Sequence, residues 1–429
     1  MPDSRWRRVA GRGLGALLDL GCRTRYNLEV RGIDNFTRSP STLVVFNHRR
    51  DADSPIIGNV LFGQGWRPVL DPMPIFIARE DLFRRGFLAD YMKGWPPAAR
   101  KLLSSLSLRP FLWALHAYPL RRIAERTLGE VLQDILWVFG DLPLDEVLKA
   151  DWIERFEQLA RPEDRPLRLG SILSGDRFRP LLRQGYGLTK LTRARFRACK
   201  PYERATIESQ LQVFIDLLEQ GETLQLAPEG AVSKDGAFAR IRAGLHVLLN
   251  RPRALVRVLP VGITYDFMTA GRQMVFVNVG PEMTDLRTLR PADASARVEE
   301  AILAESTITA SQLASQLLME IRSRGGGVLG WSQLVDYVAD EAKRWSKAGL
   351  FVDPRLLNSG DLDHRMDEYI DYCCGSGELL PQGDGLYRVP VPGRSAPPAW
   401  AKPEGAISYT NNELASVSRA HLGDSAARY

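Results

Sequence analysis

The chain has 429 residues, 45% apolar and 25% charged, with 57 Lys and Arg against 51 Asp and Glu. That length supports a large core, one main domain with attachments, and the charge fraction is that of a soluble globular protein. Four cysteines, with Cys373 and Cys374 adjacent, form no disulfide framework in a chain of this size, and no Cys-x-x-Cys pair or His/Cys cluster suggests zinc. A reducing compartment and no metal are therefore expected.

At the N-terminus Arg5, Arg7 and Arg8 precede apolar residues, as in an export signal, but Arg12 and Asp19 interrupt the apolar region. Leu20-Gly21-Cys22 is similar to a lipoprotein cleavage box, and Asp19, where an apolar residue belongs, argues against it. Val9, Leu14, Leu17 and Leu18, with Trp6 and arginines around them, suit a short amphipathic helix within a basic segment over residues 1–29. Two readings of it stay open: a helix lying on an anionic membrane, or one packed on the domain's own core. No segment reaches the ~18 apolar residues of a membrane-crossing helix.

Residues 30–325 alternate strand and helix patterns, which places them in the α/β class, a mixed sheet flanked by helices. Thr42–Phe46 is a short apolar β-rich run. Ser54-Pro55 follows as an N-cap with proline at the first helical position, opening a helix to about Phe62. Further strands are expected at 75–78, 223–227, 255–264 and 274–279, the last two as a hairpin or a neighbouring pair. Helical patterns fall at about 80–92, 124–139, 203–219, 240–250 and 297–322.

Two segments read as additions. Residues 141–200, rich in Arg, Pro and Gly, connect one helix to the next with mixed helical and loop character and are taken as an insertion. Within them, 177–200 holds eight basic residues (Arg177, Arg179, Arg183, Lys190, Arg193, Arg195, Arg197, Lys200) and no acidic one. Such a stretch is either a solvated face or attracted to anionic lipid, nucleic acid or an acidic carrier. After a Gly325-Gly326-Gly327 hinge, helices at 331–348 and 361–374 and a hairpin at 378–389, turning at Gly383-Asp384-Gly385, make a small C-terminal module over 331–389. It is either a winged-helix-like unit or a packing appendage. The stretch 390–429, with its Pro, Ala, Ser and Asn, is expected to be partly disordered.

Three blocks carry candidate chemistry. In Asn47-His48-Arg49-Arg50-Asp51-Ala52-Asp53, a histidine leaves a strand end and a carboxylate follows five positions later. An imidazole titrating near neutrality can take a proton from an alcohol, and a carboxylate on its other nitrogen would fix the tautomer. In Pro228-Glu229-Gly230, a strand ends in a turn that exposes a carboxylate and backbone amides together; Glu229 could accept from an acceptor hydroxyl, and the amides could face an oxyanion or phosphate. Arg79, at a strand end, and Arg121-Arg122, after a short apolar run, suit an anionic ligand or plain surface ion pairing.

Together and in this order, the blocks resemble the glycerophospholipid acyltransferase family, which includes the lysophosphatidate and glycerol-3-phosphate acyltransferases. Asn47, His48 and Asp53 match its Asn-His-four residues-Asp motif; Pro228, Glu229, Gly230 and Ser233 match its Phe-Pro-Glu-Gly-Thr-Arg-Ser motif. Leu259-Pro260-Val261 matches its apolar-Pro-Val strand, Arg79 and Arg122 its two basic positions, and Gly244 its helix-opening glycine. Tyr409-Thr410-Asn411-Asn412 is similar to a Tyr-Asn-Asn stretch late in the glycerol-3-phosphate enzymes. Ala227, Ala231 and Val232 depart from the family's Phe, Thr and Arg, the last removing a cation expected on the acceptor phosphate.

The resemblance implies an acyltransferase-like core. His48 would deprotonate an acceptor hydroxyl, Asp53 would orient it, Glu229 and Gly230 would shape the acceptor site, and Arg79 and Arg122 would bind phosphate. The acceptor would be lysophosphatidate or a related lysophospholipid, and acyl-CoA or acyl carrier protein would be the co-substrate, with no other cofactor. The partners implied are a membrane surface, the lipid acceptor and the thioester donor, with the chain cytoplasmic and peripheral on the inner face of the cell membrane. Nucleic acid is not expected as a partner. The alternatives are glycerol-3-phosphate acylation, a catalytically inactive membrane-binding scaffold, or nucleic-acid binding through 177–200 and the C-terminal module.

Overall fold

A computed structural model describes residues 13, 15–17, 20–37, 39–62, 74–84, 86–91, 96–122, 126–269, 271–391 and 405–422. The N-terminal amphipathic segment lies mostly outside them; residues 20–25 are helical. The chain divides into two compact units, one of residues 1–77, 111–117 and 215–429, the other of 78–110 and 118–214.

The first unit is built on a seven-stranded sheet of β1 (Tyr26–Arg31), β2 (Thr42–Phe46), β3 (Ile75–Arg79), β4 (Ala117–Leu120), β5 (Leu224–Leu226), β6 (Arg257–Asp266) and β7 (Gln273–Val279), in the order β1-β7-β6-β2-β5-β3-β4. The unit boundary falls within β3 and β4. β2 pairs in parallel with β5 and β6, β5 with β3, and β1 with β7; β6 and β7 are antiparallel, the neighbouring pair expected from their runs. Every residue of β2 is buried. A parallel strand covered on both faces has no reason to alternate, so Thr-Leu-Val-Val-Phe reads as one apolar run. Flanking helices are α1 (Asp53–Phe62), α4 (Gly244–Asn250), α5 (Pro291–Ala304) and α6 (Ala310–Ser323). The helix after β2 thus opens at Asp53, two residues before the expected first helical position at Pro55.

The C-terminal elements belong to this same unit. Helices α7 (Trp331–Lys347) and α8 (Ser359–Ser376) precede the hairpin β9 (Leu380–Gly383) and β10 (Leu386–Val389), and β10 also pairs antiparallel with β8 (Gly327–Gly330). A buried ion pair ties α8 to the sheet: Arg365 donates through Nε and Nη2, each at 2.7 Å, to the two carboxylate oxygens of Asp266 at the end of β6. Both side chains are 1% exposed, and Arg355 adds a third contact at 3.1 Å. Burial pushes the Asp266 carboxyl up, but the two guanidinium groups outweigh it and hold the pKa at about 2.

Within the tail expected to be partly disordered, residues 405–422 form helix α9 (Gly405–Leu422). Ile407, Thr410, Leu414 and Val417 are all buried. They recur at three- and four-residue spacing, one helical face, which the Ser- and Asn-rich composition obscures. Residues 392–404 lie outside the described set.

The second unit is helical among its described residues outside the ends of β3 and β4. α2 (Leu128–Phe139) opens on a capping box, in which Thr127 and Glu130 each bond the other's backbone N–H. α3 (Arg193–Glu219), with Pro201 inside it, starts ten residues before the expected 203 and passes into the first unit at Ile215. Leu128, Leu132, Ile135, Phe156, Ile172 and Phe178 form its core. The segment 141–200 is therefore part of a larger body that also takes in 78–110 and 118–140. Its basic run is partly neutralised, by Arg177 with Asp164, Arg179 with Asp176 and Arg195 with Glu146.

Asp266→Asn should lower stability by about 3–5 kcal/mol, because it strands the Arg365 charge in the core. Since the folded Asp266 pKa, about 2, lies below the ordinary aspartate value of 3.8, its contribution is complete above that range and fades as pH falls toward 2. Urea unfolding of both proteins across acidic pH should therefore show a shallower pH slope in the variant.

Candidate active site

The site forms where β2 ends. Asn47, 1% exposed, donates to the Ile263 carbonyl and accepts from the Ile263 N–H, both at 2.8 Å. It imitates a strand partner and pins the loop to β6 as the regular ladder stops. The next residue is His48, whose side chain is 12% exposed.

His48 Nδ1 lies 3.0 Å from Asp53 Oδ2. Asp53 is fully buried, and its carboxylate is met from several sides. Oδ2 also accepts the backbone N–H groups of Arg49 at 2.6 Å and Arg50 at 2.8 Å, and Oδ1 accepts the Tyr265 hydroxyl at 2.6 Å. The five-residue spacing makes this possible, because the loop turns back so that the first residue of α1 closes onto it. A carboxylate so placed leaves Nδ1 as the protonated ring nitrogen and Nε2 as the basic one. Burial and Asp53 together push the Tyr265 hydroxyl pKa far up, so it stays a donor. The Arg50 guanidinium stacks over the Tyr265 ring at 4.4 Å.

Glu229 lies in the same constellation. Its Oε1 accepts the His48 backbone N–H, and its Oε2 that of Ala239, both at 2.7 Å. Burial raises its carboxyl above the ordinary range, opposed by Arg49 and by these backbone donors. The sequence suggested a carboxylate offered to an acceptor; the structure uses both oxygens to hold backbone. The turn amides are engaged likewise: Gly230 N–H on Ala227 at 3.0 Å, and Ser233 N–H on the His48 carbonyl at 2.8 Å. Gly230 has φ 77°, a left-handed geometry that favours glycine. An added Cβ would sit 3.1 Å from Arg242 Cγ.

The structure groups the remaining predicted residues elsewhere. Arg79 and Arg122 line one cavity of about 410 Å³ in the second unit, together with Arg84, Arg121 and Arg126. Glu80, Asp134 and Glu203 hold Arg121 at 2.7, 2.8 and 3.4 Å. Arg79 pairs with Asp81. So Arg79 and Arg122 share a site, and His48, Asp53, Glu229 and Gly230 share another within the first unit.

Four residues the sequence reading passed over complete the His48 site. Tyr265 completes the Asp53 shell. Arg49, 5% exposed, donates to the Gly236 carbonyl at 2.5 Å and pairs at 3.3 Å with Glu413 of α9. Arg242 donates to the Glu229 carbonyl at 3.2 Å, a cation at the turn that carries Val232. Only adjacency to His48 could have marked Arg49, and nothing in the local sequence marks Glu413. No cluster of metal-ligating side chains exists among the described residues.

No protein-family model matches the chain, and no curated protein matches it by sequence. Among solved structures it is similar to the 1-acyl-sn-glycerophosphate (LPA) acyltransferase PlsC from Thermotoga maritima, at 14% identity and a TM-score of 0.34, over 70% of this chain and 81% of that one. The protein is an α/β protein with a parallel-dominated sheet flanked by helices, carrying a His–Asp pair at a strand end.

Glu229→Gln replaces one of two backbone acceptors with an NH2 group facing a donor. It should cost about 1–3 kcal/mol, the range for a buried unsatisfied group, read as a lower thermal midpoint with the secondary structure intact.

Proposed function

We propose that the chain transfers a fatty acyl group from a thioester, on CoA or acyl carrier protein, to a hydroxyl of lysophosphatidate or a related lysophospholipid. The observation that carries the reading is the His48–Asp53 pair, at 3.0 Å with Asp53 fully buried. It sits beside a Pro-Glu-Gly turn in the motif order of the acyltransferases.

In this reaction His48 Nε2 takes the proton of the acceptor hydroxyl as the oxygen attacks the thioester carbonyl. The tetrahedral intermediate collapses, the C–S bond breaks, and the thiolate leaves with the proton from the imidazolium. Asp53 stabilises that imidazolium in the tautomer required. A base that activates the acceptor directly calls for no acyl-enzyme on Ser or Cys. Glu229 and Gly230 set the backbone beside His48, Arg242 donates to the Glu229 carbonyl of that turn, and Arg79 and Arg122, which line a cavity of the second unit, are the proposed phosphate ligands. Among the described residues no helix is long and apolar enough to cross a membrane. We place the chain on the inner face of the cell membrane, held by its basic N-terminal segment and the 177–200 run.

Acyl transfer by the purified protein, offered both donors and a panel of phosphorylated and unphosphorylated acceptors, tests the reading. His48→Ala should cost at least the ~10²–10⁴-fold typical of a general base, and Asp53→Asn a comparable factor with the fold retained. A His48→Ala protein turning over like wild type rules the mechanism out.

Arg122→Ala should raise the acceptor Michaelis constant by about one to two decades, the value of a charge-assisted bidentate contact, and leave the donor constant alone. Arg122→Lys should recover part, since a point charge lacks the planar fork. Unchanged acceptor kinetics, with an unphosphorylated acceptor used equally well, would refute the phosphate assignment.

A further inference from the structure

The far end of the chain reaches the His48 loop. On α9, Asn412, Glu413 and Ser416 share a face with Tyr409, the i, i+3, i+4, i+7 spacing of a helix. Asn412 donates to the Asp235 carbonyl at 2.9 Å, and Ser416 accepts the Phe238 N–H at 3.0 Å. Gly236, at φ 88°, packs so tightly on the Tyr409 carbonyl that an added Cβ would lie 1.9 Å from its oxygen. Glu413, 3% exposed, pairs with Arg49 at 3.3 Å and accepts from Gln312 at 3.4 Å.

Arg49 is the connection that matters. Its backbone N–H is one of the donors that hold Asp53, and its side chain is held by Glu413 and by the Gly236 carbonyl. Any shift of Arg49 therefore moves a ligand of the carboxylate that orients His48. A buried ion pair is poor value as a stabiliser, because well-packed apolar residues serve stability as well or better; what it supplies is a fixed direction.

We infer that Glu413 is a positioning residue for the His48–Asp53 pair, acting through Arg49, so that α9 is an integral part of the active site. This rests on the acyl-transfer reading for its kinetic consequence, and on geometry alone for its effect on His48.

The test uses the full chain. Glu413→Gln keeps the shape and removes the charge. Its kcat should fall roughly 10–100-fold, the scale for a misplaced catalytic group, while both Michaelis constants stay near wild type. The downfield Nδ1–H proton resonance of His48, read by NMR without any substrate, should shift or broaden.

Arg49→Met combined with Glu413→Leu separates positioning from folding. The double variant should regain the wild-type thermal midpoint and remain slow. Full kcat in that variant, or a Glu413→Gln protein with wild-type kcat and an unmoved His48 resonance, overturns the inference. A rise in Michaelis constants at constant kcat does so too. If the wild type transfers no acyl group to any acceptor, only the proposed reaction fails. The His48 resonance in Glu413→Gln then decides the positioning role by itself, and an unmoved signal overturns it.

Discussion

A fully buried carboxylate is costly unless donors surround it, and Asp53 is the group around which this unit is arranged. Four donors converge on it: one ring nitrogen, two backbone amides and one phenol. Each comes with a structural demand. The amides of Arg49 and Arg50 require the loop after β2 to coil tightly. The Tyr265 hydroxyl requires β6 to run beside β2 in register to its far end, which the pairing of Phe46 with Val261 and the Asn47 bridge to Ile263 extend. His48 is then the only donor of the four whose other side is left for chemistry.

The reach of that constraint explains what the sequence disclosed. His48 and Asp53 were legible because both partners lie within one short loop, and a five-residue spacing closes on itself. The β2 run and its helix were legible for the same local reason. Pairing between remote segments was not. Tyr265 and Glu413 enter the site through strand register and helix docking, and neither leaves a mark in its own neighbourhood. The α9 helix was missed because its buried face is made of Ala, Ile, Tyr and Thr spaced among Ser and Asn, so the period is present while the average polarity reads as loose chain. The expected start of α3 falls ten residues too late; proline commonly marks a helix boundary, and one stands at Pro201. Here it lies inside the helix, which begins at Arg193.

Glu229 shows how a residue singled out from sequence can carry a different physical task in the fold. A carboxylate at a strand end reads as a group held out to a ligand. In the fold its two oxygens splint the amides of His48 and Ala239. Its raised pKa follows from the same burial. The turn's own amides are similarly turned inward, with Ser233 fastening the carbonyl of His48. His48 is thus held by its N–H, its carbonyl and its ring.

Such complete restraint bears on how an imidazole base can be effective. Hydrogen bonds fixed before substrate arrives need no reorganisation when charge appears on the imidazole, and that is where an enclosed site outperforms water. The restraint is distributed: Glu229 acts from the loop after β5, Ser233 from the turn beyond it, Asp53 from α1, and Glu413 from α9 by way of Arg49. The last is the most remote in sequence, and it depends on α9 being packed on the loop after β5. A restraint supplied by α9 makes the site's geometry depend on how that helix is docked. That links the stability of the C-terminal helices, anchored at Asp266 and Arg365, to the orientation of a histidine on the opposite side of the sequence.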